Sequence, residues 1–320
     1  MDSIDTMERL PTSAVVCEVG PRDGFQMEQE FIPTARKVEL IDALARTGLT
    51  EIQATSFVHP KAIPQLADAE AVLGSISRVP GVRYTALVPN EKGAGRAIEA
   101  EADGVDVVVS ISESHCLSNT NMTPEQAMER AANVARMGED ADVEVTIGFA
   151  TALGCPFEGV PPYARVEQFV ARAVEELGVR NISVADTVGM ASPRLVYTTL
   201  RRLRERFPQA TFTLHLHNTR NMGSANLVAG LQAGVTRFDA SIAGLGGCPY
   251  APGATGNVAT EDVVNMLREM DIETGVRLDE VVEVAARARE VIGHADSGVL
   301  QAGTSRKLLG KFEGSQAKTG

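Results

Sequence analysis

Short β-rich runs recur along this chain, each followed by a longer stretch with helical character, and this alternation constrains the fold more than any other feature. The runs are AVVCEV (14–19), TEIQAT (50–55), VRYTAL (82–87), VDVVVSI (105–111), VEVTIGF (143–149), NISVAD (181–186), TFTLHLH (211–217) and TRFDASI (236–242). Helices are predicted near 34–47, 60–77, 90–102, 123–140, 163–177, 192–206, 221–233 and 258–270. Eight strand-then-helix units in succession predict an α/β protein built as a closed parallel (β/α)8 TIM barrel, with a doubly wound open sheet as the alternative.

Punctuation supports those limits. Thr123-Pro124 and Ser192-Pro193 place proline at the first helical position, and Gly48, Gly138, Gly178 and Gly234 are read as helix closers. Beyond Asp271 two more helical stretches, 277–292 and about 295–311, are expected to pack on the barrel. The predicted organisation is an N-terminal segment (1–13), a barrel catalytic domain (14–271), C-terminal helices (272–313) and a flexible tail (314–320).

Composition narrows the function classes. The chain has 320 residues, 44% of them hydrophobic, enough for one large core. Its 42 acidic against 30 basic side chains, with no Lys/Arg block, argue against nucleic acid as a partner. No apolar run approaches the length that crosses a bilayer, and the polar start MDSIDTMERLPTS lacks the pattern of a signal peptide, so no membrane association and a cytoplasmic location are expected. Cys17, Cys116, Cys155 and Cys248 form no CxxC pair, which speaks against a zinc finger or a disulfide scaffold.

In a barrel of this type the site forms where strands end and βα loops begin. Arg22-Asp23, Gln53, Ser56, Asp186, His215, His217 and the glycine-rich loop AGLGGCPYAPGATGN (243–257) all fall at such positions. His215 and His217 stand at i and i+2 on a strand, so both imidazoles can project to one side and share a cation. The bland alternative is one histidine bonded in the core and one solvated. Asp23 and Asn257 complete a mixed nitrogen and oxygen set with open positions, which suits Mg²⁺ or Mn²⁺ better than a closed zinc site.

At these residues the chain resembles the 3-hydroxy-3-methylglutaryl-CoA lyase family, through VGPRDGF (19–25), ATSFVHPKAIPQLAD (54–68), LGCPFEG (153–159), ADTVG (185–189), HLHNT (215–219) and AGLGGCPYAPGATGNVATEDVV (243–264). The similarity runs from about residue 14 to 292, and GGCPYAPGATGN is its most specific piece. It implies a metal-dependent lyase that splits a branched 3-hydroxyacyl-CoA by a retro-Claisen step, giving acetyl-CoA and acetoacetate from the parent thioester. It implies Asp23, His215, His217 and Asn257 as ligands of a divalent metal, Mg²⁺ or Mn²⁺. Arg22 would hold the enolate oxygen, with Asp186, His215 and Cys248 as the polar and proton-transfer groups. Gln53, Ser56, His115 and Asn218 would bind substrate, and the barrel would pair as a homodimer. Cys155, in another GCP turn, reads as structural.

Two positions depart from the family pattern: Gln53 stands where the lyase has a glutamate, and Asn218 where it has an aspartate. An amide keeps shape and hydrogen-bonding reach but carries no charge. The rival readings are an acyl-CoA carboligase or 2-oxo acid aldolase of the same metal-barrel group, and a non-catalytic barrel that binds acyl-CoA or an organic acid.

Overall fold

A computed structural model describes residues 10–247 and 256–305 of the chain. Eight parallel strands close into a barrel in sequence order: β1 (Val15–Glu18), β2 (Glu51–Ser56), β3 (Arg83–Leu87), β4 (Gly104–Ser110), β5 (Glu144–Ala150), β6 (Asn181–Asp186), β7 (Thr211–Leu216) and β8 (Arg237–Ala240). The closing pair β1–β8 aligns Val15 with Arg237 and Glu18 with Ala240. The outer layer contains α1 (Thr34–Ala45), α2 (Ala69–Ser75), α3 (Glu91–Glu99), α4 (Glu113–Thr120), α5 (Pro124–Ala141), α6 (Tyr163–Ala171), α7 (Pro193–Arg206), α8 (Gly223–Gln232) and α9 (Thr260–Glu269).

Alternation within the strands divides two environments. On β4, Val105, Val107 and Val109 are buried, each side chain worth roughly 1.5–3 kcal/mol in burial. Asp106, between them, reaches Gln53 on β2, a strand that is not its neighbour, so this contact crosses the barrel interior. The core therefore lies mostly between strands and helices, and polar side chains fill the barrel itself.

Local signals explain several helix starts. Thr123 and Gln126 form a reciprocal cap on α5, with Thr123 Oγ1 accepting from the Gln126 amide at 3.2 Å and Gln126 Oε1 from the Thr123 amide at 3.0 Å. Ser192 caps α7 in the same sense through the Leu195 amide.

Within the barrel the structure departs from the sequence reading in four places. Gly138 does not close α5, which continues to Ala141 and ends on Asp142 at φ 56°. A Cβ at Gly138 would lie 2.3 Å from Val145 Cγ2, so the glycine lets α5 settle on β5. The predicted helix 60–77 is broken: a single 3-10 turn, Pro64–Leu66, precedes the short α2. SISESHC does not simply end β4, because Ser112 caps α4 and His115 sits on that helix. The predicted helix 163–177 widens in its last turn, Arg172–Glu176, into π geometry.

Beyond the barrel, α10 (Leu278–Ile292) is tied to the end of α1 by the Arg277 amide on the Thr47 carbonyl at 2.7 Å. Of the last predicted helix, α11 (Gly298–Ala302) is described; Asp262 on α9 accepts from the amides of Gly298 and Val299, each at 2.8 Å. That helix is shorter than predicted: residues 295–297 are not helical, and α11 stops at Gly303, φ 90°. Positions 306–313 and the tail 314–320 lie outside the described residues. Among the described residues no helix is long and apolar enough to cross a membrane.

Candidate active site

The strand ends on one face of the barrel bring together Asp23, His215 and His217, whose ligand atoms all lie within 4.8 Å of one another. Asp23 belongs to a π turn, Gly20–Gly24, directly after β1, and Arg22 is its neighbour. Asp23 Oδ1 accepts from Arg22 Nη1 and, at 2.9 Å, from Gln26 Nε2. Its Oδ2 faces His217 Nε2 at 3.9 Å. Burial opposes charge on Asp23, but Arg22 and the two histidines outweigh it and hold the carboxyl at about 2.

The histidines come from β7 and the residue just after it. Register sets His215 opposite Asp239 on β8, and Asp239 Oδ2 lies 3.0 Å from His215 Nδ1. With Nδ1 committed to that carboxylate, His215 turns Nε2 toward His217 Nε2 at 3.2 Å. Burial works against protonating His215, yet the Asp239 carboxylate wins and its pKa is raised. Burial, aided by His215, takes His217 down to about 4, so at neutral pH it offers a free lone pair.

Asn257 completes the group because the segment after the glycine-rich loop returns to β7. His217 and Asn257 form an antiparallel bridge, and the Asn218 amide donates to the Gly256 carbonyl at 3.0 Å. Asn257 Nδ2 donates to Asp23 Oδ2 at 2.7 Å, while its buried Oδ1 has no partner among the described residues. Glycine is required on both sides of this amide: a Cβ at Gly246 would meet Asn257 Nδ2 at 2.7 Å, and one at Gly256 would meet the Gly244 carbonyl oxygen at 2.5 Å.

Two imidazole nitrogens facing each other beside a carboxylate, with the Asn257 amide oxygen buried and unpartnered among the described residues, is poor hydrogen bonding but a fitting donor set for a divalent cation.

The remaining sequence-predicted residues fall in different settings. Gln53 lies in this centre: its Oε1 accepts from Arg22 Nε, and its Nε2 donates to Asp106 Oδ2 at 2.6 Å. Burial, reinforced by Glu51 and Asp239, raises the Asp106 carboxyl to about 6 despite its donors. Asp186, at the end of β6, uses Oδ1 to accept from the Met190 and Ala191 amides at 2.7 and 3.0 Å, leaving Oδ2 buried with no partner among the described residues. Burial lifts its pKa to about 6 against the pull of those amides.

Ser56 ends β2 fully buried. His115 Nδ1 is 2.7 Å from Ser110 Oγ beneath α4, and burial lowers its pKa. Asn218 Oδ1 accepts from the Gly223 amide at 3.0 Å, at the start of α8. Cys155 is buried with its thiol 2.9 Å from Ser112 Oγ. Cys248 lies outside the described residues.

Sequence reasoning missed Asp106, Asp239 and Glu18. Glu18 is fully buried on β1; its Oε1 accepts from the Gly20 amide at 2.7 Å and the Ile242 amide at 2.9 Å, and its Oε2 from Thr260 Oγ1 at 2.6 Å. It thereby ties the turn carrying Arg22 and Asp23 to β8's loop and to α9. The available signal was a lone acid inside an apolar strand, in VVCEV, VDVVV and RFDA.

Residues 14–287 match the profile of the HMGL-like family. The chain belongs to that family. Among HMGL-like relatives, the hydroxymethylglutaryl-CoA lyase YngG of Bacillus subtilis (strain 168) is 43% identical over 283 residues, 88% of this chain and 94% of that protein. The mitochondrial hydroxymethylglutaryl-CoA lyase of Mus musculus is 42% identical over 281 residues, covering 88% and 86%. A solved HMG-CoA lyase from Acinetobacter baumannii, in complex with coenzyme A and 3-methylmalate, superposes with a TM-score of 0.87 at 39% identity, covering 95% of this chain and 97% of its own. The HMGL-like assignment agrees with the closed barrel and makes this chain an enzyme of the lyase kind.

Proposed function

We propose that this protein cleaves 3-hydroxy-3-methylglutaryl-CoA, or a closely related branched 3-hydroxyacyl-CoA, to an acyl-CoA and a 3-oxo acid. The observation that carries the reading is the meeting of Asp23, His215 and His217 beside Arg22, in a chain 43% identical to a hydroxymethylglutaryl-CoA lyase over most of both lengths. The acyl-CoA substrate class is supported by the coenzyme A in the Acinetobacter complex.

The reaction removes the proton of a tertiary alcohol, breaks the bond between C2 and C3, and leaves a thioester enolate that takes up a proton. Asp23, His215, His217 and Asn257 would hold a divalent cation, Mg²⁺ or Mn²⁺, which when bound makes the substrate hydroxyl more acidic. Arg22 carries a permanent positive charge for the enolate oxygen, and Asp23 and Gln53 fix its guanidinium in place. Asp186 has an Oδ2 that is unpartnered among the described residues, and its carboxyl, with a pKa of about 6, is suited to accept the hydroxyl proton near neutrality. We assign return of a proton to the nascent carbanion to the Cys248 thiol, whose ordinary pKa of about 8.5 is close enough to neutral for that role.

The test is direct. Purified protein incubated with 3-hydroxy-3-methylglutaryl-CoA and Mg²⁺ or Mn²⁺ should release acetoacetate, and a panel of branched 3-hydroxyacyl thioesters should rank the substrates. Absence of cleavage across the whole panel with either metal would overturn the reading.

A further inference from the structure

We infer that Asp106 is a positioning residue for Arg22, acting through the amide of Gln53; the inference rests on the reading of Arg22 given above. Gln53 links two charged groups in opposite senses: its Nε2 donates to Asp106 Oδ2 at 2.6 Å and its Oε1 accepts from Arg22 Nε. An amide has one donor end and one acceptor end, and nothing else in its covalent structure decides which faces the guanidinium. Asp106 decides it. A carboxylate accepts only, so it captures the NH₂ end and leaves the carbonyl toward Arg22, where the reverse setting would press N–H against N–H.

Asp106 is itself held. Thr85, on the strand between β2 and β4, donates Oγ1 to the same Oδ2 at 2.9 Å, so the acceptor meets the amide in one orientation. The three side chains form a polar layer across strands β2, β3 and β4, and only the Arg22 end of it reaches Asp23. Asp106 therefore influences the guanidinium without touching the substrate.

This arrangement also dictates what position 53 tolerates. A glutamate there would keep the acceptor for Arg22 but set a second carboxylate against Asp106 at hydrogen-bond distance, where one of the two must hold a proton. An asparagine at 106 would remove that conflict, because its Nδ2 can donate to the new carboxylate. The pair is thus exchangeable in polarity: amide at 53 with acid at 106, or acid at 53 with amide at 106.

The experiment measures kcat and KM for the thioester in wild type, Asp106→Ala, Gln53→Glu, and Gln53→Glu with Asp106→Asn, each with a thermal melt. Asp106→Ala removes the anchor of the amide, so Gln53 and the guanidinium it holds can shift, and should lower kcat roughly 10- to 100-fold with KM within about twofold, the scale expected when a reacting group is misplaced. Gln53→Glu should lose activity, and the added Asp106→Asn should restore at least half of the lost kcat, a rescue that a merely structural role for Asp106 does not produce. A kcat for Asp106→Ala within about twofold of wild type overturns the inference. A double variant worse than Gln53→Glu alone does the same. Should Gln53→Glu fail to fold, Asp106→Ala decides alone. Wild-type turnover, measured alongside, separates the two readings: its absence sinks the proposed reaction, whereas its presence with an unaffected Asp106→Ala sinks only this inference.

Discussion

The Nε2 atoms of His215 and His217 face each other at 3.2 Å although the other nitrogen of His215 is already engaged by Asp239. Two lone pairs held this close need a positive centre between them or a shared proton, and His217, with its pKa near 4, is a reluctant proton carrier at neutral pH. His217→Ala is therefore expected to lose bound divalent metal and at least ~100-fold in turnover. Elemental analysis after dialysis against Mn²⁺, with the assay in parallel, checks both; full metal content in the variant would contradict the assignment of His217 as a ligand.

Asp239 orients its histidine from outside the donor set. Asp239→Asn keeps the shape but lets the His215 ring choose its tautomer, so metal affinity should fall about 10- to 100-fold while the fold persists. Isothermal titration with Mn²⁺ at fixed pH reads this. Unchanged affinity would mean that the contact at 3.0 Å serves packing alone.

Two buried glutamates give the stability a definite pH sense. Burial raises Glu18 to about 7 and Glu261 to about 8, above the ordinary value of 4.5, against the donors each receives. The folded state then binds more protons than the unfolded one between those values, so the stability they contribute is complete below about 4.5 and is lost as pH rises through 7 to 8. Urea unfolding should show falling stability from pH 5 to pH 9, and Glu261→Gln, which cannot ionise, should flatten that slope. An equal or steeper slope in the variant would remove Glu261 from the account.

Gly138 tests the packing of α5 on β5. Because an added Cβ would sit 2.3 Å from Val145 Cγ2 and 2.7 Å from the Val143 carbonyl oxygen, Gly138→Ala should destabilise by about 1–3 kcal/mol despite alanine's better helix propensity. Adding Val145→Ala should return part of that loss. Thermal melts of the single and double variants decide it, and a more stable single variant would show that α5 has room to move.

Much of this is legible in the sequence. The strand and helix alternation carried the barrel, since a period of two switching to one near 3.6 leaves few architectures, and the His-x-His pair with its neighbouring Arg-Asp marked one face. What stayed hidden depends on register or on a single residue's surroundings. Helix α4 is short, and its sequence ESHCLSNT holds weak helix formers; its cap by Ser112 and its stop at Asn121, φ 54°, are visible only in space. Gly138 read as a stop because glycine within a helix usually weakens it, and only the proximity of Val145 explains the exception. Position 53 and position 218 looked alike as amides, yet Gln53 links Asp106 to Arg22 whereas Asn218 meets the first residue of α8. Asp106 and Asp239 escaped notice because one acid in an apolar strand says nothing about its partner until the strands are aligned.

The metal site proposed above draws on residues 23, 215, 217 and 257, and Glu18 locks the first of these segments to Ile242 and Thr260. During synthesis, then, a nascent chain that has released seven strands has no completed ion-binding centre to offer. Capture of the cation becomes a late event that reports closure of the ring, and fragments ending before residue 257 should leave the ribosome as poor competitors for cellular metal.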